Sequence, residues 1–215
     1  MSSHQLTSRP WRLAVLISGG GRTLQNLLNV IEKGDLNAEV VAVVSSAAEV
    51  KGLQIAEDAG IPAHVLTPKD ARGVDAYSAA VYEQLTSYHP DLVIMAGFLR
   101  RLLVHRGWEN RILNIHPALL PQAASYAAGK GFYGDRVHEA VLANGDTESG
   151  CTVHVVTDTY DEGPPLGQSV VPIQDGDDVR ALADRVFALE CELYPRVIRE
   201  YMESNPDLKL GRDQV

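Results

Sequence analysis

The 215-residue chain lacks the means to build a metal centre, a disulfide scaffold or a nucleic-acid surface. Its two cysteines, Cys151 and Cys191, are too few and too far apart for a zinc motif or a disulfide framework, which points to a reduced, cytoplasmic setting. HExxH, CxxC and paired-histidine patterns are missing, so no metal is expected. Lys and Arg number 19 against 28 Asp and Glu, and the net charge of −9 argues against a phosphate-neutralising face. No nucleic-acid partner is expected, although a small anion can still be bound locally. The longest apolar runs, such as LVIMAGFL, fall far short of the roughly 20 residues that cross a bilayer, so no membrane partner is expected either. The opening MSSHQLTSRPWR has no apolar stretch of signal-peptide length, and no internal repeat is present.

What remains is 45% hydrophobic, enough for one substantial core. A flexible N-terminal extension is expected over residues 1–11, a single domain over 12–204, and a loosely held tail over 205–215. RLAVLIS (12–18) reads as a buried strand, stopped by three glycines and followed by a helix in which Leu24, Leu27, Leu28 and Ile31 recur at helical spacing. AEVVAVVSS (38–46) is a second strand, VKGLQIAEDAG (50–60) a helix closed by Gly60, and PAHVLT a short third strand. A helix over 73–89, with Ala76, Ala79, Ala80, Val81 and Leu85 on one side, leads to a fourth strand, DLVIMAG (91–97). RILNIHP is the fifth, and residues 118–133 read as a long loop rich in glycine and alanine. A helix at about 134–144, a strand CTVHVVT (151–157), its hairpin partner GQSVVPI (167–173) and a long helix from Asp177 to about Glu203 complete the chain. The pattern predicts an α/β fold: a Rossmann-like, mostly parallel sheet flanked by helices, with antiparallel C-terminal strands and a long final helix.

SGGGRTLQ (18–25) lies between the first strand and the first helix, where backbone N–H groups and the helix dipole hold phosphate. No Gly-Lys-Ser/Thr follows, so this is not a Walker loop. As a dinucleotide fingerprint it has Gly19 and Gly21 but Leu24 at the third glycine position, and the second strand ends VVSSAA without an acidic ribose partner. The loop suits a phosphate monoester, with Arg22 adding a charged fork. A plain tight turn built by glycines accounts for it equally well.

RILNIHPALLP (111–121) sets two polar residues into an apolar run. Residues i and i+2 of a strand share a face, roughly 6.6 Å apart, so Asn114 and His116 point one way and Ile115 the other. Pro117 cannot continue the ladder, which puts the pair at the carboxyl edge of the sheet, where open α/β folds bind ligands. An amide donor and an imidazole there can both face one developing oxyanion. Singly, each is better read as a structural residue. Asp158 and Asp161 fall where VHVVTDTYDEGPP breaks from strand into loop, and either carboxylate can orient an imidazole. His154 is read as structural. His4, His64, His89, His105 and His138 have no motif around them.

LISGGGRTLQNLL, MAGFLRRL, ILNIHPALLP, SGCTVHVVTDTYDEGP and LECELYPRVI together resemble the folate-dependent phosphoribosylglycinamide formyltransferases, over about residues 12–200. NIHPALLP and the later Asp resemble the wider formyltransferase superfamily; the glycine loop with LQNLL and the LExxLYPxVI stretch resemble this member in particular. The resemblance implies transfer of a formyl group from the co-substrate 10-formyltetrahydrofolate to the amine of phosphoribosylglycinamide, in purine synthesis. It implies that Asn114 and His116 hold the oxyanion, with Asp161 raising the pKa of His116 and relaying a proton. It implies a ribonucleotide site at Gly20, Gly21, Arg22 and Thr23, with Glu190 at the ribose or glycinamide end. The pterin is expected against Leu99, Arg100, Arg101 and Leu102 and against the loop holding Thr157, Asp158 and Asp161, largely through backbone groups. Two departures stand out. Arg22-Thr23 replaces a common Ser-Asn, and QAASYAAGKGFYGDRVHEAV replaces a shorter Pro-Gly segment. Arg72 is not aligned with an arginine that some members direct at the folate tail, where Val74 stands. A methionyl-tRNA formyltransferase is expected to carry a further basic C-terminal domain, and a formyltetrahydrofolate hydrolase an N-terminal regulatory domain. A non-catalytic nucleotide-binding module is the alternative of another class. The protein is expected to be a monomer or a homodimer.

Overall fold

The computed structural model describes residues 9–129, 131 and 133–210. In chain order its elements are β1 (Trp11–Ile17), α1 (Arg22–Glu32), β2 (Ala38–Ser45), α2 (Lys51–Asp58), β3 (Ala63–Val65), α3 (Val74–Thr86), β4 (Leu92–Met95), β5 (Ile112–His116), α4 (Asp135–Asn144), β6 (Glu148–Val155), β7 (Pro165–Pro172) and α5 (Val179–Ser204). The strands form one sheet in the order β3-β2-β1-β4-β5-β6-β7. Pairings from β3 through β5 are parallel, and β5–β6 and β6–β7 are antiparallel. This is the expected α/β fold, with antiparallel strands and a long helix at its C-terminal end.

Covering both faces of the parallel strands explains their nearly unbroken apolar sequences. Along β1, Leu13, Val15 and Ile17 join the core beneath α1 and α5, and Ala14 and Leu16 join a second core beneath α3. The inward face of α3 is not the expected alanine-rich one. Tyr77, Ser78, Val81, Tyr82 and Leu85 are buried, while Ala76 and Ala79 are exposed and Ala80 is only half-buried. Two aromatic rings remove far more apolar surface from water than three methyl groups. Both hydroxyls are also satisfied, Tyr77 donating to Leu66 O and Tyr82 to Leu103 O.

Three contacts position the carboxyl edge of the sheet. Gly21 has φ 73°, and a Cβ there would come within 2.6 Å of Gly52 Cα. Conversely, a Cβ on Gly52 would come within 2.5 Å of Ile17 Cδ1 and 2.9 Å of Gly19 O, so the first turn of α2 crosses directly over the glycine loop. On α5, the fully buried Tyr194 donates to Leu113 O at 2.8 Å and Met95 O at 3.1 Å, pinning the helix across β4 and β5. Pro195 lies inside the same helix and has no N–H for the carbonyl of Cys191, four residues back. Asn26 Nδ2 on α1 donates to that carbonyl at 2.9 Å.

At the opposite edge, the buried Asp91 accepts from Arg9 Nη1 and Nη2 at 2.6 and 2.7 Å, from Arg12 N at 2.9 Å and from Leu210 N at 2.8 Å. Of the expected extension and tail, residues 1–8 and 211–215 lie outside the described residues, whereas residues 9–11 and 205–210 are bonded to the body. Lys130 and Phe132, in the loop expected over 118–133, also lie outside them. No helix among the described residues is long and apolar enough to cross a membrane.

Candidate active site

A cavity of about 830 Å³ opens along the carboxyl edge of the parallel strands. It is lined by the glycine loop, by Phe187 and Glu190 of α5, by Asn114 and His116, by the segment 97–102 and by the loop 157–161. The residues singled out from five separate stretches of sequence therefore line one space.

At the centre, β5 brings Asn114 and His116 to the same face, as strand alternation requires. Antiparallel pairing sets Asn114 opposite His154 of β6 and His116 opposite Thr152. Asn114 Nδ2 lies 3.2 Å from His154 Nε2, and His154 Nδ1 donates to Val155 O at 3.1 Å. The carbonyl at Nδ1 holds a ring proton on that side, and Nε2 faces the Asn114 amide. Asp161 sits between the two rings, with Oδ1 3.8 Å from His116 Nδ1 and 3.6 Å from His154 Nε2, and its Oδ2 accepts from Gly129 N at 2.9 Å. Its φ of 54° is unusual for a residue with a side chain and turns the carboxylate inward. Asp158 faces elsewhere, accepting from Val104 N at 2.8 Å.

Burial pulls the His116 pKa down; the nearby Asp161 charge and the bond to Ala127 O push the other way, and the net direction is downward. Asp161 does push the value up, as the resemblance implied, but burial of a ring that is only 4% exposed outweighs it. Its Nε2 donates to Ala127 O at 2.7 Å, which leaves Nδ1, facing Asp161, as the exchangeable position. Burial also pushes the Asp161 carboxyl up, but His154, His116 and the Gly129 N–H outweigh it and hold the group below the usual range.

At the glycine loop, Gly20, Gly21, Arg22 and Thr23 all line the cavity. The α1 helix begins at Arg22 behind Gly21, whose carbonyl accepts from Gln25 N at 2.9 Å. The Arg22 guanidinium stacks on the Phe187 ring at 3.7 Å, and Nη2 lies 3.5 Å from Asp184 Oδ1. Burial lifts the Glu190 carboxyl to about 7, against the pull of Arg22.

In the segment after β4, Leu99 N donates to Ser18 Oγ at 2.8 Å and Leu103 N to Ser78 Oγ at 2.9 Å, which fixes the backbone of the turn. The Leu102 side chain is buried in the second core, so it is backbone that this residue offers. Arg101 Nη2 donates to Asp158 O at 2.9 Å, and its guanidinium lies 5.6 Å from the Tyr160 ring, closing the gap to the loop that carries Thr157. Arg100 also lines the cavity.

Sequence reasoning missed three contributors. His154 becomes central only through its register with Asn114, which no local pattern announces. Phe187 precedes Glu190 by one helical turn, a signal that periodicity from Glu190 would have revealed. His138 is 5% exposed, lines the cavity and has an unpartnered Nδ1, with its pKa lowered by burial. Among the described residues, no group of three or more His, Cys, Asp or Glu is arranged to hold a metal ion.

Comparison with known proteins yields a consistent set. The formyl transferase family matches residues 11–198. The trifunctional purine biosynthetic protein adenosine-3 of Bos taurus is 40% identical over 190 residues, covering 87% of this chain and 18% of that protein. The chloroplastic phosphoribosylglycinamide formyltransferase of Vigna unguiculata is 38% identical over 204 residues, covering 93% and 63%. The chain thus spans less than two thirds of either curated relative. A crystal structure of glycinamide ribonucleotide transformylase 1 from Symbiobacterium toebii superposes with a TM-score of 0.81 at 38% identity, covering 92% of this chain and 90% of that one.

Proposed function

This chain belongs to the formyl transferase family, and on that premise we propose that it is a phosphoribosylglycinamide formyltransferase. It transfers the formyl group of 10-formyltetrahydrofolate to the glycinamide amine in purine synthesis. The observation that carries the reading is one cavity lined by an anion-suited glycine loop, by the segment 97–102 and the loop 157–161, and by Asn114, His116 and Asp161.

In this reading the phosphate lies on Gly20, Gly21, Arg22 and Thr23, and Glu190 meets the ribose or glycinamide. The pterin lies between Leu99–Leu102 and the loop of Thr157, Asp158 and Asp161. The amine attacks the formyl carbon, the carbonyl oxygen becomes an oxyanion, and the attacking nitrogen becomes an ammonium. The Asn114 amide uses one N–H toward His154 and has a second for the oxyanion. His116, neutral because it is buried, accepts the ammonium proton at Nδ1, and the adjacent Asp161 carboxylate steadies the imidazolium. Protonated there, His116 also faces the oxyanion. When the carbon–N10 bond breaks, the proton passes to N10, giving tetrahydrofolate and the formylated ribonucleotide. None of these steps calls for a metal. Two free thiols, Cys151 and Cys191, suit the reducing cytoplasm to which we assign the protein.

The test is turnover. Purified protein given 10-formyltetrahydrofolate and phosphoribosylglycinamide should release tetrahydrofolate, and His116→Ala should abolish the reaction. Failure of the unaltered protein to turn over both substrates would sink the proposal.

A further inference from the structure

The wall of α5 that faces the glycine loop presents Asp184 and, three residues on, Phe187, so both sit on one side of the helix. Arg22 Cζ lies 3.7 Å from the Phe187 ring centroid. A guanidinium stacked on a ring uses its flat face and keeps its N–H edge free for an anion. The polar partner of that edge among the described residues is Asp184 Oδ1, at 3.5 Å, with the two side chains 60% and 59% exposed. Such a pair is weak in water, and a dianionic phosphate on the neighbouring loop outcompetes a single distant carboxylate for the same donors. The α5 wall is itself held against α1 by the Asn26 bond to the Cys191 carbonyl, so the stacked ring has a fixed distance from the loop.

We propose that Phe187 is a positioning residue that holds the Arg22 guanidinium at the mouth of the glycine loop, and that Asp184 is a built-in competing anion that the substrate phosphate displaces. The inference rests on the reading that this loop binds the phosphate of the ribonucleotide. Without the ring, Arg22 is one more mobile surface cation, and its ordering falls on the binding step. Without Asp184, the donors are unopposed when substrate arrives.

Steady-state kinetics with each substrate varied in turn tests this. Phe187→Leu should raise KM for phosphoribosylglycinamide about five- to tenfold, with kcat and the folate KM within about twofold of the unaltered protein. Phe187→Tyr, which keeps the ring, should restore the unaltered KM and so separates stacking from helix packing. Asp184→Asn should lower the ribonucleotide KM about twofold at low salt, the gain fading as salt rises. In an Arg22→Ala background, Phe187→Leu should add nothing. An unchanged KM in Phe187→Leu, a further loss on top of Arg22→Ala, or a higher KM in Asp184→Asn would overturn the inference. If Arg22→Ala raises KM and Phe187→Leu does not, the inference fails and the phosphate reading stands. If Arg22→Ala leaves KM unchanged, the phosphate reading fails with it.

Discussion

Asn114 directs one amide hydrogen at His154 Nε2, 3.2 Å away, and that bond fixes which end of the amide faces the cavity. The second hydrogen has a defined direction before any substrate arrives, which is the condition for stabilising charge without reorganisation. Asn114→Ala should therefore lower kcat about a hundredfold or more, with KM values nearly unchanged; a kcat near that of the unaltered protein would remove it from the oxyanion site. Asp161 acts on His116 through charge, raising a pKa that burial lowers. Neutralising it in Asp161→Asn removes the raising influence, so the His116 pKa falls further and the acidic limb of the pH–rate profile moves to lower pH. The rate falls with it, because the imidazolium formed during transfer loses its counter-charge. A profile with its acidic limb in place would show that Asp161 does not act on His116. For folding the sign runs alike for both groups: His116 and Asp161 have depressed pKa values, so the unfolded chain binds protons first. Their contributions diminish as pH falls, through the ordinary histidine range for His116 and the carboxylate range for Asp161.

Pro195 interrupts the hydrogen bonding of α5, and Asn26 of α1 accepts the consequence by donating to the Cys191 carbonyl. The two residues are thus coupled although they are far apart in sequence. Asn26→Ala should cost about 1 to 2 kcal/mol of stability with Pro195 present, because a carbonyl is left without a donor. It should cost much less alongside Pro195→Ala, in which residue 195 regains an N–H. Thermal or denaturant melts of the four proteins give the coupling energy, and additive losses would refute the link. Elements were largely legible from period and punctuation. The buried parallel strands are continuous apolar runs, α1 follows its glycines, and α5 carries helical spacing throughout. Less legible was anything decided between elements. The rotation of α3 depends on which side chains reach a backbone acceptor, and the place of His154 depends on the β5–β6 register. The choice of Asp161 over Asp158 depends on a left-handed backbone at Asp161 and on Val104 N, which occupies Asp158. Strand alternation placed Asn114 and His116 because both lie on one element.

The whole molecule keeps its chemistry and its anchoring on opposite edges of one sheet. Asp91, just before β4, has a side chain with no exposed surface; burial pushes its carboxyl up, and the bonds from Arg9, Arg12 N and Leu210 N outweigh this and hold it below the usual range. Asp91→Asn should lower stability by about 3 kcal/mol near neutral pH while leaving the KM values of the remaining folded enzyme unchanged. The gap should close as pH drops through the carboxylate range, where the native Asp91 also loses its charge. A Tm equal to that of the unaltered protein at pH 7 would contradict this. Because Arg9 and Leu210 share one carboxylate, the backbone approaches and leaves the domain at the same point, on the side away from the cavity. A unit joined to its surroundings at a single root can be set into a longer polypeptide as a side branch, and neither neighbour has to pass across the reaction site.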